Sequence, residues 1–264
     1  MRILNFLFSR SKQEQDKPIR DKLKTRKDFE RVLAEDLDIM ETTKARMDTA
    51  KNINLYMYRS LSYSYILILQ SKYSVDAKID ELRDIYIKSM YYFLQAFNKR
   101  NPIYADILNY VSLGVLLNIP DNNFRQLIDY VKQMDKQAKP SGWTPDLLLW
   151  FMLNSRMKEQ EKQKYAETLA YPRLYNGLYK VIQAPNAAAA KDTLNKYLDR
   201  WYNLNSDAPW YNSHLKNNSY RGYWAWEVAA VAKIMYIDDS DLKNNQYYPY
   251  DMVHWADNET TAKE

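Results

Sequence analysis

The densest group of side chains able to move protons is Asp238-Asp239-Ser240-Asp241, next to an aromatic-rich stretch. Paired carboxylates at this spacing can act as general acid and base. The same tetrad suits a helix boundary, because Ser240 or Asp239 can accept hydrogen bonds from the exposed amides of a following turn, and their charge complements its positive end. The boundary is the preferred reading. An EF-hand loop is not formed, since its alternating oxygen ligands and mid-loop glycine are missing. His214 and His254 have no carboxylate or second histidine at helical ligand spacing, so no metal site is expected. Ser-x-x-Lys occurs at Ser9/Lys12, Ser155/Lys158 and Ser213/Lys216, which a Lys-rich chain produces by chance, and the companion motifs of a serine acyltransferase are absent. Gly114, Gly142, Gly177 and Gly222 are too scattered to cradle a phosphate, and there is no cysteine to act as thiolate nucleophile or ligand. The sequence therefore predicts no catalytic residues, no metal and no cofactor.

The elements that position these side chains should all be helical. Only 4 glycines and 9 prolines interrupt a chain rich in helix-forming residues, and the expected fold is all-α, a bundle of about nine or ten helices in two packed halves. Apolar residues at three- and four-residue steps predict a helix through Phe29, Val32, Leu33, Leu37, Met40 and Met47, a second over 53–73 and a third over 75–97. Asn101-Pro102 opens a fourth, Pro120 stops it, and Asp121 is placed to cap a fifth through Phe124, Leu127, Ile128 and Val131. The cluster Lys139-Pro140-Ser141-Gly142-Trp143-Thr144-Pro145 is the expected linker. The division that follows is a leader over 1–18, a helical domain over 19–138, the linker over 139–145, a second helical domain over 146–257 and a tail over 258–264. Within the second domain, helices are expected over 146–157 with Thr144 as cap, over 162–183 with a kink or break near Pro172, over 186–201 and over 220–237. The 203–219 stretch is expected as a loop and a contact region.

The helix expected from Tyr220 carries Tyr223, Trp224, Trp226, Val228, Val231, Ile234 and Ile237 on nearly every side, so it should be central and buried. Glu227 would share a face with Tyr223, and a carboxylate there must find a hydroxyl, an arginine or a backbone donor.

The net charge of +5 invites a nucleic-acid reading, but residues 1–31 hold ten Lys or Arg against five Asp or Glu, leaving 28 of each sign beyond them. The body is electrically neutral. The basic group Arg20, Lys22, Lys24, Arg26 and Lys27 reads as a solvated tail and first helical turns, with a phosphate- or membrane-contacting arm as the alternative. The apolar patch from Ile3 to Phe8 is short for a signal core, and no later stretch has the ~18 apolar residues of a membrane helix. A cytoplasmic protein with no membrane partner is expected. The 24 tyrosines suit core edges and binding surfaces alike.

The run Tyr220-Arg-Gly-Tyr-Trp-Ala-Trp-Glu-Val-Ala-Ala-Val, then Ile237-Asp-Asp-Ser and Tyr247-Tyr-Pro-Tyr-Asp-Met-Val, closely resembles the C-terminal signature of PoNi-type immunity proteins. The N-terminal half is similar to that family's companion domain through Arg20-Asp-Lys-Leu-Lys-Thr, Phe29, Lys72-Tyr-Ser and Ile79-Asp-Glu-Leu. The likeness covers about 18–257 and departs at Trp226, where the family commonly has Phe. It implies a cytoplasmic antidote to a polymorphic toxin delivered by a contact-dependent route such as type VI secretion. The family's usual cognates are PoNe-type DNases of the PD-(D/E)xK class. The implied protein is no enzyme; it binds the nuclease and occludes its active site or DNA cleft. The expected toxin contacts are Asp238, Asp239, Asp241, Tyr247, Tyr248 and Asp251, with the 203–219 loop nearby. Tyr220, Gly222, Tyr223, Trp224, Glu227 and Pro249 are expected to hold the fold. The competing classes are a helical scaffold or adaptor and a nucleic-acid-binding protein. Whether the free protein forms a homodimer is open at this stage.

Overall fold

A computed structural model describes residues 18–97, 103–136, 143–216 and 219–256. Among them are ten α-helices, three short 3-10 turns and no strand, so the chain is all-α as expected. The chain divides into two compact units, Met1–Asn98 with Asn212–Tyr223, and Lys99–Tyr211 with Trp224–Glu264. This division does not follow the expected linker at 139–145, of which residues 139–142 lie outside the described ones. Part of the later sequence instead folds with the first unit.

The first unit is built on α1 (Arg26–Thr49), α2 (Leu55–Ser74) and α3 (Ile79–Phe97), with α2 packed against both neighbours. The first two starts have a chemical cause. Thr25 and Asp28 form a reciprocal capping box at α1, and the Asn54 side chain accepts from the Met57 amide at α2. The stripe on α1 then buries Phe29, Val32, Leu33 and Met40, and Leu33 and Met40 join Leu61, Tyr65 and Ile68 in the core.

The second unit holds α4 (Tyr104–Leu116), α5 (Asp121–Lys136), α6 (Leu147–Asn154), α7 (Pro172–Ile182), α8 (Ala187–Leu204), α9 (Trp226–Met235) and α10 (Tyr250–His254). α4 and α9 pack against each other and are apolar almost all round, and α7 packs on α8. Trp226 and every residue from Val228 to Val231 are fully or almost fully buried, as expected of a central helix.

Four local expectations are corrected. Asp121 is the first residue of α5 rather than its cap, and the Pro120 carbonyl accepts from Asn123 and Phe124. Asp146, not Thr144, caps α6: its carboxylate accepts from the Leu149 amide while also taking the Tyr104 hydroxyl and the Ala170 amide. Helix over 162–183 shrinks to α7, because Pro172 occupies its first position and the residues before it are irregular. The helix expected from Tyr220 begins only at Trp226. Gly222 explains part of that delay, since its φ of 106° is a left-handed conformation incompatible with a helix. Among the described residues, no helix is long and apolar enough to cross a membrane.

Candidate partner-binding face along the eighth helix

The signature run divides at Tyr223/Trp224 between the two units, and its two parts do different work. In the first unit, the Arg221 guanidinium donates Nε and Nη2 to the two oxygens of Asp36 at 2.9 and 2.7 Å. Tyr220 donates its hydroxyl to Asp21, whose other oxygen caps the Leu23 and Lys24 amides. Burial outweighs these bonds and pushes both carboxyls above the usual range. Tyr223 takes the His214 amide and contacts the His214 ring. Arg20 is no solvated tail residue: it donates to the Tyr73 and Ala77 carbonyls, pairs with Asp76 and lies over the Tyr73 ring, and Arg26 donates to Val75. The described part of the basic leader thus ties down the end of α2. Residues 1–17 lie outside the described ones.

In the second unit, Glu227 is buried and accepts the Trp201 indole N–H at 2.6 Å. Besides the expected backbone amide, the donor is an indole rather than a hydroxyl or an arginine, and Tyr223 lies in the segment before α9 rather than on that helix. Desolvation raises its pKa to about 7, against the opposing effect of that bond.

The acidic tetrad separates by burial. Asp239 is 3% exposed, accepts the Tyr248 hydroxyl at 2.7 Å and lies 2.8 Å from His254 Nε2. It makes no cap bond; it fixes α10 to the turn before it. Tyr248 is 2% exposed and Pro249 is buried. Of the expected contacts, Asp239 and Tyr248 thus lie in the interior of the free chain, where they support the turn and α10. Asp238 and Asp241 have side chains 69% and 46% exposed, and both bind Lys191 on α8, at 2.8 and 3.2 Å. Asn195 also donates to Asp241. The Lys191 and Ser240 bonds hold Asp238 well below the usual carboxylate range. For Asp241, desolvation is outweighed by Asn195 and Lys191, and the pKa is likewise lowered. Asp251 is exposed in the first turn of α10.

The same face of α8 continues into an aromatic stack. Lys191, Asn195 and Tyr202 recur at four- and seven-residue steps, one side of a helix over about 16 Å. Tyr202 stacks on Tyr247, centroids 5.3 Å apart and planes 4° apart, and on Tyr211 at 4.6 Å. Trp210 stacks on Trp201 at 5.5 Å. Tyr247 is thus brought into the same aromatic group as Trp210 and Tyr211 of the expected contact loop, while Asn212–Tyr223 belongs to the other unit. Lys191, Asn195 and Tyr202 were missed by the sequence reading. The i, i+4 spacing of Lys191 and Asn195 on one helix face was the available signal. Among the described residues no group of three His, Asp or Glu could hold a metal ion.

The description "PoNe immunity protein (PoNi), N-terminal" matches residues 11–129, and "PoNe immunity proteins (PoNi), C-terminal" matches 144–252. Comparison with curated proteins gave no match. Among solved structures, that of "Protein PA2201 from Pseudomonas aeruginosa" is similar in fold, with a TM-score of 0.70, 18% identity and 93% of each chain covered. Its likeness extends the fold over both units' sequence but assigns no activity. With both halves of one family matched in order over most of the sequence, the chain belongs to the PoNe immunity proteins, non-enzymatic proteins that bind and inhibit PoNe DNase toxins.

Proposed function

We propose that this chain protects the cell that makes it, in the cytoplasm, from a PD-(D/E)xK-type PoNe DNase delivered by type VI or a similar contact-dependent secretion. The α8 face of the second unit does the binding, with Asp238, Asp241, Tyr247 and Asp251 as contacts. The observation that carries this reading is the exposed carboxylate pair at one end of a helix face whose other end is an aromatic stack. A nuclease must hold phosphates with basic groups, and those groups are what exposed carboxylates meet best. Stacked Tyr and Trp rings add contact area at little cost in side-chain entropy. A stoichiometric complex of this kind blocks the DNA cleft or active site sterically.

Co-expression with the product of the adjacent upstream gene tests both levels. Rescue of growth and a co-purifying complex are expected for the natural protein, and loss of both for an Asp238→Asn, Asp241→Asn, Tyr247→Ala variant. Full protection by that variant would remove the face from the mechanism. Toxicity without rescue or complex for the natural protein would favour a scaffold role instead.

A further inference from the structure

Among the described residues, four that are not glycine have a left-handed backbone: Asp76, Asn118, Asn212 and Tyr236. Three are Asp or Asn, whose short polar side chains tolerate that conformation. Tyr236 is the exception, with φ 52° and ψ 41° at the end of α9. The turn itself is a Schellman motif: the Tyr236 amide donates to Ala232 and Lys233, and the Ile237 amide reaches back to the Ala232 carbonyl at 3.0 Å. Ile237 is buried behind it, so the fold requires the turn. Glycine meets that requirement without strain, and the tyrosine ring gives nothing back to the fold, since Tyr236 is 93% exposed. A bulky side chain on a strained backbone, packed on nothing, marks a position kept for something outside the folded chain.

What that is follows from its neighbours in sequence. Asp238 is two residues on and Asp241 five, both exposed, and among the described residues both pair with the same cation, Lys191, two negative charges against one positive. An aromatic face beside surplus carboxylate charge suits a guanidinium or ammonium group, which gains from the ring quadrupole and the carboxylate together. We infer that Tyr236 is the anchor of the toxin contact, receiving an Arg or Lys side chain of the cognate nuclease on its ring while Asp238 and Asp241 flank it. The inference rests on the α8-face reading above and adds a residue to it. Binding hot spots are enriched in Tyr, Trp and Arg, and a ring 93% exposed in the free chain offers its whole surface to a partner.

The test is three variants of the full chain, each measured for unfolding midpoint and for affinity toward the nuclease from the adjacent gene. Tyr236→Gly should raise the midpoint by about 2 °C or more, because the strain is relieved, while weakening binding by about tenfold or more. Tyr236→Phe should keep the natural affinity within about threefold, because the ring face survives. The rim variant Asp238→Asn, Asp241→Asn should bind more weakly. Unchanged affinity for Tyr236→Gly alongside a weakened rim variant would overturn the anchor and leave the α8 face standing. A lowered midpoint for Tyr236→Gly would make the ring structural, and equal losses for Phe and Gly would exclude the cation contact. No binding by the natural protein would overturn the anchor and the face together.

Discussion

The Asp36–Arg221 pair of the first unit and the Asp238–Lys191–Asp241 group of the second join the same kinds of charge, yet burial gives them opposite parts. The Asp36 and Arg221 side chains are 3% and 10% exposed and meet through two parallel bonds, whereas Asp238 keeps 69% of its side-chain surface. A buried charge must keep its partner, because water cannot replace it, while an exposed one exchanges partners at little cost. The first pair is therefore a fastener and the second is available for a partner. Arg221→Ala tests the contrast most severely. Leaving Asp36 buried without its guanidinium should cost about 3–5 kcal/mol in chemical unfolding. The double change Asp36→Leu with Arg221→Met should recover much of that loss, and a double variant as unstable as the single would mean the segment needs the charges themselves.

Glu227 sharpens the comparison by adding pH. In the unfolded chain this carboxyl titrates near 4.5, and in the fold near 7. Between these values the folded state keeps a proton that the unfolded chain releases. Its contribution is fully present below pH 4.5 and is lost as pH rises through 7, a difference of roughly 3 kcal/mol. Glu227→Gln does not ionise and can still accept the Trp201 indole bond, so its stability should not fall over that window. Relative to the natural protein, the variant should gain between pH 5 and pH 8. Parallel stability profiles would show that the folded carboxyl ionises at its ordinary pH.

A smaller effect is expected at Gly177 on α7, where an added Cβ would stand 2.6 Å from Tyr197 Cδ2. Tyr197 is buried and its hydroxyl is held by the Leu174 carbonyl, so the ring cannot step aside freely. Gly177→Ala should destabilise by about 1–3 kcal/mol through overpacking, despite alanine's better helix propensity. An unchanged unfolding midpoint would mean that α7 and α8 can separate slightly without penalty.

The sequence made the helices legible because their apolar spacing is local, and the five expected before residue 138 are all present. It misled at Tyr220–Ala225 because apolar density says that a segment is buried, not that it is helical, and the left-handed Gly222 was not weighed as a breaker. Asp36 could have been found: it falls in the stripe Phe29, Val32, Leu33, Asp36, Met40, where a carboxylate demands a partner. Its partner could not, since Arg221 lies 185 residues away and no spacing rule reaches that far. The rim shows the same limit. Asp238, Asp239 and Asp241 look alike in sequence, and only the packing of Tyr248 and His254 separates the buried one from its exposed neighbours.

The smallest stability effects belong to that rim, and there the sign of binding becomes informative. Asp238→Asn with Asp241→Asn, and separately Lys191→Ala, should leave the unfolding midpoint unchanged within error, since exposed ion pairs contribute little. Their effects on the nuclease should oppose each other. Removing the carboxylates takes away charge that draws in a basic surface, so association slows and its salt dependence flattens. Removing Lys191 takes away the cation that both carboxylates share, so association should quicken at low salt. Stopped-flow association rates at two ionic strengths measure both changes. If Lys191→Ala also slows association, the lysine rather than the carboxylates faces the partner, and the charge sign assigned to this face is reversed.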